Sequence, residues 1–208
     1  MKAIVSLFLV ATLQVCMAGS DASVIATSEW SKPVSTKYDQ TIRCRLLIAQ
    51  GHSPAHAGEV PETAVYLELQ NVSGAIGAPM KIYFDPGRGL RCEVLDANGK
   101  APPMVGGAGS GGGAGSSWIT LPYDSTIRLR ANMYGYGRKE GDGLLIQMSP
   151  PNMQRWDIQA SDTNVYFMSG TFTVVMPSDY VAKDFTETRS IWTGTLELPK
   201  MKIPVSKP

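Results

Sequence analysis

Apolar and polar residues alternate with a period of two along most of the chain. The alternation is cleanest at residues 63–70, where Val65, Leu67 and Leu69 oppose Tyr66, Glu68 and Gln70. It returns at residues 190–199, where Trp192, Leu196 and Leu198, with Gly194 among them, oppose Thr193, Thr195 and Glu197. A period of two puts successive side chains on opposite faces, so each stretch predicts a strand with one face buried. The same reading predicts strands at 42–48, 80–84, 90–95, 118–121, 127–133, 144–148, 156–159, 165–168, 171–176, 191–198 and, shorter, 201–205. In residues 171–176, Phe172 and Val174 share the apolar face. With Leu67 they are the predicted core anchors against which Trp192 packs.

Turn chemistry punctuates these runs. Asn71-Val-Ser-Gly74, Asp85-Pro-Gly87 and Asp96-Ala-Asn-Gly99 each end a strand, and residues 134–143 make a glycine-rich connection that predicts a hairpin with a long tip. Residues 177–188 are polar and accommodate a helical turn. No helical period is sustained beyond the N-terminus. Short strands separated by turn signals argue for a sandwich or barrel rather than βαβ units, and the fold class expected is all-β, an antiparallel β-sandwich of about eight to ten strands.

The first residues change the picture from fold to destination. Lys2 is followed by a nearly unbroken apolar run at 3–15 and by small residues at Ala18, Gly19, Ser20 and Ala22, the layout of a signal peptide cleaved near 18–22. The run is shorter than the roughly 20 residues of a membrane span, and nothing later approaches one. The mature chain is therefore expected to be exported, secreted or held in the periplasm or cell envelope, with no membrane span. Cys16 invites a lipoprotein reading, set aside because Val15 stands where a lipidation signal wants a small residue.

Residues 23–40 carry Trp30 and Pro33 without a period and read as an irregular lead-in to one domain at 41–208. Within that domain, the run at 105–117 holds no side chain larger than a hydroxymethyl group beyond Val105, so it cannot offset its ordering entropy by burial and reads as a flexible glycine-rich insertion. With 43% apolar and 18% charged residues the chain is ordinary globular material, and a net charge of +1 gives no overall field to gather nucleic acid.

Candidate chemistry is sparse. Without Cys16, two cysteines remain, Cys44 and Cys92, each in phase with apolar neighbours; export and the even count favour a disulfide over two buried thiols. His52 and His56, with Glu59, are ligand types for zinc or copper, but Gly51, Pro54 and Gly58 oppose the helix that would bring them together, so a solvated loop is preferred and no metal is expected. No Gly-x-Ser-x-Gly elbow occurs, no Gly-Lys-Ser/Thr completes a phosphate loop, and Asp96, Asn98 and Gly99 read as a hairpin turn rather than calcium ligands. No catalytic residue and no cofactor are assigned. Tyr134, Tyr136, Arg138 and Lys139 form a candidate contact tip, and Asn71-Val-Ser73 fits the glycosylation pattern. Arg43, Arg45, Arg128 and Arg130 fall on outer strand faces and make an anionic-glycan patch if their strands lie side by side.

The signal segment, the strand Val65-Tyr-Leu-Glu-Leu-Gln-Asn71, the Asp96-Ala-Asn-Gly99 turn, the strand pair at 166–176 and Trp192-Thr-Gly194 together resemble secreted bacterial immunoglobulin-like β-sandwich domains, including those similar to the BsuPI-type proteinase inhibitor fold. The resemblance spans roughly 41–205 and is one of pattern. Cys44 does not reproduce the antibody-type order of cysteine and tryptophan, and no inhibitory residue is carried over. The expected function is that of an exported, non-enzymatic binding or structural module whose loops contact a protein or a glycan. The alternatives are a protease inhibitor, a carbohydrate-binding module and a hydrolase using His52 or His56.

Overall fold

The structure is a computed structural model that describes residues 23–50, 63–74, 79–104, 115–137, 143–148, 154–159 and 163–204. Its strands are β1 (Val24–Thr27), β2 (Val34–Ser35), β3 (Thr41–Gln50), β4 (Thr63–Asn71), β5 (Met80–Phe84), β6 (Leu90–Asp96), β7 (Ser117–Leu121), β8 (Thr126–Gly137), β9 (Gly143–Met148), β10 (Arg155–Gln159), β11 (Tyr166–Val174) and β12 (Gly194–Lys202). Two short helices, α1 (Pro86–Gly89) and α2 (Phe185–Ser190), complete the described elements. The fold is all-β. A main sheet runs β1-β3-β4-β8-β9-β10 with β2 also on β3, a second runs β12-β11-β6, and β5 pairs with β7. Every strand pair is antiparallel. Among the described residues no helix is long and apolar enough to cross a membrane.

The inward series of each strand meets in one apolar cluster. Ile42, Cys44 and Leu46 of β3 join Leu67 and Leu69 of β4, Ile82 of β5, Val94 of β6, Phe172 and Val174 of β11, Leu196 of β12 and Trp192. β12 packs against β1, β2 and β3, which brings the second sheet onto the first.

Trp192 is fully buried but lies before β12, not within it. Its backbone N–H donates to Lys81 O of β5 at 2.9 Å, and its indole Nε1 donates to Val34 O of β2 at 3.4 Å. The ring rests on Gly194, where a Cβ would stand 3.1 Å from the indole Cη2. One residue thus ties all three sheets together, through its backbone N–H to β5 and its indole to β2 and Gly194.

The structure corrects the lead-in. Residues 23–40 are not irregular throughout: β1 and β2 edge the main sheet, and the link between them is stitched to β3. Ser28 N–H donates to Leu46 O and Ser31 N–H to Cys44 O, while the two serine hydroxyls accept from Leu46 N–H and Cys44 N–H at 3.0 Å each. Hydroxyls standing in for backbone carbonyls let an aperiodic sequence continue a ladder, which hydropathy alone does not reveal. Likewise residues 166–174 form one strand rather than two: Tyr166, Met168, Gly170, Phe172 and Val174 keep a single phase, and the pairing with β6 runs through Ser169 and Gly170 without a shift. Across from Ser169, Pro199 and Lys200 form a β-bulge in the partner strand, which carries the pairing past Pro199 and joins the stretches read as 191–198 and 201–205 into β12. The glycine-rich insertion ends before Ser117, which opens β7; residues 105–114 lie outside the described residues.

The expected disulfide is not formed: Cys44 and Cys92 are both buried free thiols. Cys44 Sγ lies 3.6 Å from Glu197 O of β12, whereas Cys92 sits on β6, and β11 runs between those two strands. Burial raises the Cys44 thiol to about 11 and the Cys92 thiol to about 12. Since the thiolate is the nucleophile, both should resist iodoacetamide in the native protein at neutral pH and react together on unfolding without reductant. Peptide mass spectrometry reads the outcome, and a pair left unlabelled after unfolding would restore the disulfide.

Helix α2 is a capped turn. Asp184 Oδ1 accepts from Glu187 N–H at 2.7 Å, and Glu187 reaches back to accept from Lys183 N–H at 2.7 Å and across to Lys81 Nζ of β5 at 3.0 Å. The Lys183 N–H, then the Lys81 ammonium and the Tyr180 hydroxyl, lower the Glu187 carboxyl from 4.5 to about 2. A carboxyl depressed in the folded state stabilises it above the unfolded pKa and loses that contribution as pH falls through the folded one. The stability gap between wild type and Glu187→Gln should therefore be full above pH 4.5 and close by about pH 2. Urea midpoints across that range measure it; a constant gap would leave the carboxylate without this role.

Candidate functional site

The outer face of the main sheet carries four arginines, two of which close on one carboxylate. Along β3 the outward series is Arg43, Arg45 and Leu47, and the register sets Gln70, Glu68 and Tyr66 of β4 opposite them. On the far side of β4, Arg128 of β8 stands opposite Glu68 and Arg130 opposite Tyr66. β3 and β8 are therefore not direct neighbours: β4 lies between them and supplies the acid that both share.

Glu68 is only 5% exposed. Its Oε2 accepts from Arg45 Nε at 2.6 Å, and its Oε1 accepts from Arg128 Nε at 3.0 Å and Nη2 at 2.9 Å. A carboxylate so covered is stable only because both guanidiniums are in place; charge-assisted bonds of this kind fix the arginine heads as well as the acid. Arg43 is fixed differently, its Nε donating to Gln70 Oε1 at 2.7 Å.

Trp30 completes the face. The Ser28 and Ser31 ladder holds its segment against β3, and the indole takes the guanidinium carbons of Arg43 and Arg45 at 4.8 and 4.4 Å from a ring centroid. Such contact is cation–π attraction, and it further restricts two long side chains. The Nη ends of Arg43 and Arg45 have no hydrogen-bond partner among the described residues. Both side chains are half-buried against the indole. The arrangement can hold anionic groups by forked hydrogen bonds; it contains no nucleophile and base in contact.

Other expected sites fare less well. His52 and His56, like Arg138 and Lys139, lie outside the described residues, and Tyr134 and Tyr136 are placed only as backbone of β8. No cluster of three or more metal-ligating residues occurs among the described residues. Asn71 is buried, with Nδ2 donating to Leu121 O at 3.1 Å and Oδ1 accepting from Ser73 N–H, so the glycosylation pattern is closed to modification in the folded chain. Asp96 Oδ1 accepts from Asn98 and Lys100 N–H, and Gly99 takes a φ of 80°: the segment is a turn. A cleft of about 740 Å3 beside β6, β11 and β12 is lined by Arg91, Glu93, Glu197 and Lys200, whose charges cancel, with the protonated Cys92 at its edge.

Sequence reasoning missed an aromatic cluster on the β5–β7 sheet. Trp118 stacks at 5.3 Å from Tyr83 and 4.7 Å from Tyr180, and it is 39% exposed. The tilts of 59° and 46° make it a packed knot rather than a flat platform. Only the register of β5 with β7 pairs Tyr83 with Trp118. Compared with protein-family models, with curated proteins and with solved structures, the chain matches none of them.

Proposed function

We propose that the chain is an exported, non-enzymatic binding module of the cell envelope or exterior, an immunoglobulin-like sandwich that contacts its partner through the outer face of the main sheet. The observation that carries this reading is the Arg45–Glu68–Arg128 row with Arg43 beside it under Trp30: charged groups held in fixed positions on a partly exposed sheet face rather than in a cleft. This moves the contact from the loops, where the sequence put it, to a sheet. Rigid strands hold such a constellation more accurately than loops do.

Labelled protein incubated with the envelope fraction of its host tests the reading. Wild type should be retained and released by salt, and Arg43→Gln/Arg130→Gln should be retained several-fold less; equal retention of the two would remove the sheet face from consideration.

A further inference from the structure

We infer that a cleft at one end of the sandwich, separate from the arginine face, takes a single neutral sugar residue, free or at the end of a glycan. β3, β5 and β8 begin at this end and β4 and β7 finish there, with α2 alongside. The cleft holds about 320 Å3. That volume lies at the lower end for ligand clefts and suits one substituted ring rather than a folded partner.

The strand ends tie its walls in place. Thr41 N–H donates to Ser73 Oγ at 2.8 Å, Val72 N–H donates to Thr41 O at 2.9 Å, and buried Asn71 reaches Leu121 O at 3.1 Å. Two turns rise from this frame, at 36–40 before β3 and at 122–125 before β8. Tyr38 of the first and Tyr123 of the second line the cleft. Next to each tyrosine stands an aspartate with left-handed backbone, Asp39 at φ 60° and Asp124 at φ 52°, and no other described non-glycine residue has a positive φ. Such backbone is unfavourable for a residue with a Cβ, and outliers of this kind gather where a site demands one placement of its side chains.

The lining sets the ligand class. Phe185 of α2 adds a third ring, edge-on to Tyr38 at 6.1 Å and 88°. It is 65% exposed and Tyr123 is 52% exposed, so aromatic surface is left in water beside the cleft, where the C–H face of a sugar ring would cover it. Asp39 and Arg189 put one charge of each sign in the lining, and the Arg189 guanidinium carbon lies 5.6 Å from the Tyr38 centroid and 5.7 Å from that of Phe185. Among the described residues the lining thus has no net charge, which favours hydroxyls, able to donate and to accept, over a polyanion. Gln40 supplies an acceptor that the fold leaves unused: its Oε1 is buried and meets no donor. A buried acceptor without a partner is costly, and a ligand hydroxyl satisfies it. The last torsion of a glutamine is soft, so the half-buried side chain turns its amide toward that hydroxyl.

The test titrates the full-length protein with glucose, galactose, mannose and N-acetylglucosamine, and with glycine and phenylalanine as zwitterions that would use the two charges instead. Saturation transfer in ligand-observed NMR, at low and high salt, reads the binding. Expected is transfer to the ring C–H protons of at least one sugar, unchanged by salt, and none to the amino acids. Phe185→Ala and Tyr123→Ala, each at an exposed ring, should weaken that binding about fivefold. Gln40→Leu, which removes the unpaired acceptor and keeps the bulk, should weaken it about as much while melting no lower than wild type. Thermal melts establish that the ring variants are folded. Arg43→Gln, on the sheet face, should bind sugar like wild type, so this inference and the reading of that face are tested separately. Silence from all four sugars, transfer to the amino acids in their place, or folded cleft variants that bind like wild type would overturn it.

Discussion

Replacing Trp192 with alanine should destabilise the protein by about 3–5 kcal/mol, the range for deleting a large buried aromatic side chain. The indole is completely buried, so little solvent can fill the space it leaves. More is lost than volume. Its Nε1–H satisfies Val34 O on the main sheet, and its ring covers Gly194 at the start of β12. Trp192→Phe should recover part of the packing but leave Val34 O without this donor, and should cost about 1–2 kcal/mol. Urea unfolding of the variants, followed by far-ultraviolet circular dichroism, gives both values. For a domain of this size the alanine variant should melt roughly 10 °C lower. A near-neutral Trp192→Ala would mean that the sheets meet without this side chain and that the packing described here is wrong.

A comparable loss is expected from one added methyl group. Gly170 sits in the middle of β11 with a φ of 155°, and a Cβ built on it would stand 1.9 Å from Arg91 O and 2.9 Å from the Cys92 Cα. Those atoms are backbone of the neighbouring strand β6, so no rotamer change relieves the clash. β11 is also held on its other side by β12, where the bulge opposite Ser169 fixes the spacing. Gly170→Ala combines backbone strain with overpacking and should cost about 2–5 kcal/mol. Ser169→Ala next to it, on the outer face, should stay within about 0.5 kcal/mol. If Gly170→Ala melts with Ser169→Ala and wild type, the close approach of β6 and β11 does not exist in solution.

The two substitutions separate what could be read from the chain from what could not. Leu67, Phe172, Val174 and Trp192 fall on apolar series, so their burial is legible from phase alone. Gly170 carries no such sign. Its requirement comes from Arg91, 79 positions earlier, and only strand pairing puts them together. The lead-in is similar: nothing in the hydropathy of residues 28–31 shows two serine hydroxyls completing a ladder with β3.

The candidate site shows the same division more sharply. The outward phase of Arg43 and Arg45, and of Arg128 and Arg130, follows from alternation within each strand. That Arg45 and Arg128 share Glu68 does not, because β8 lies some sixty residues from β4 and reaches it only through the register of the main sheet. Trp30, in a segment that shows no period, proves to be the cover over two arginines.

The sequence by itself determined the all-β class, the faces of most strands and the residues of the core, because a period of two is a local property that each strand carries whatever its neighbours are. The tertiary structure alone decided that the arginines share a face, that Cys44 and Cys92 stay apart, and that Trp192 joins three sheets. Each of these depends on which strands pair and in what register, and pairing is settled by contacts between residues far apart in the chain.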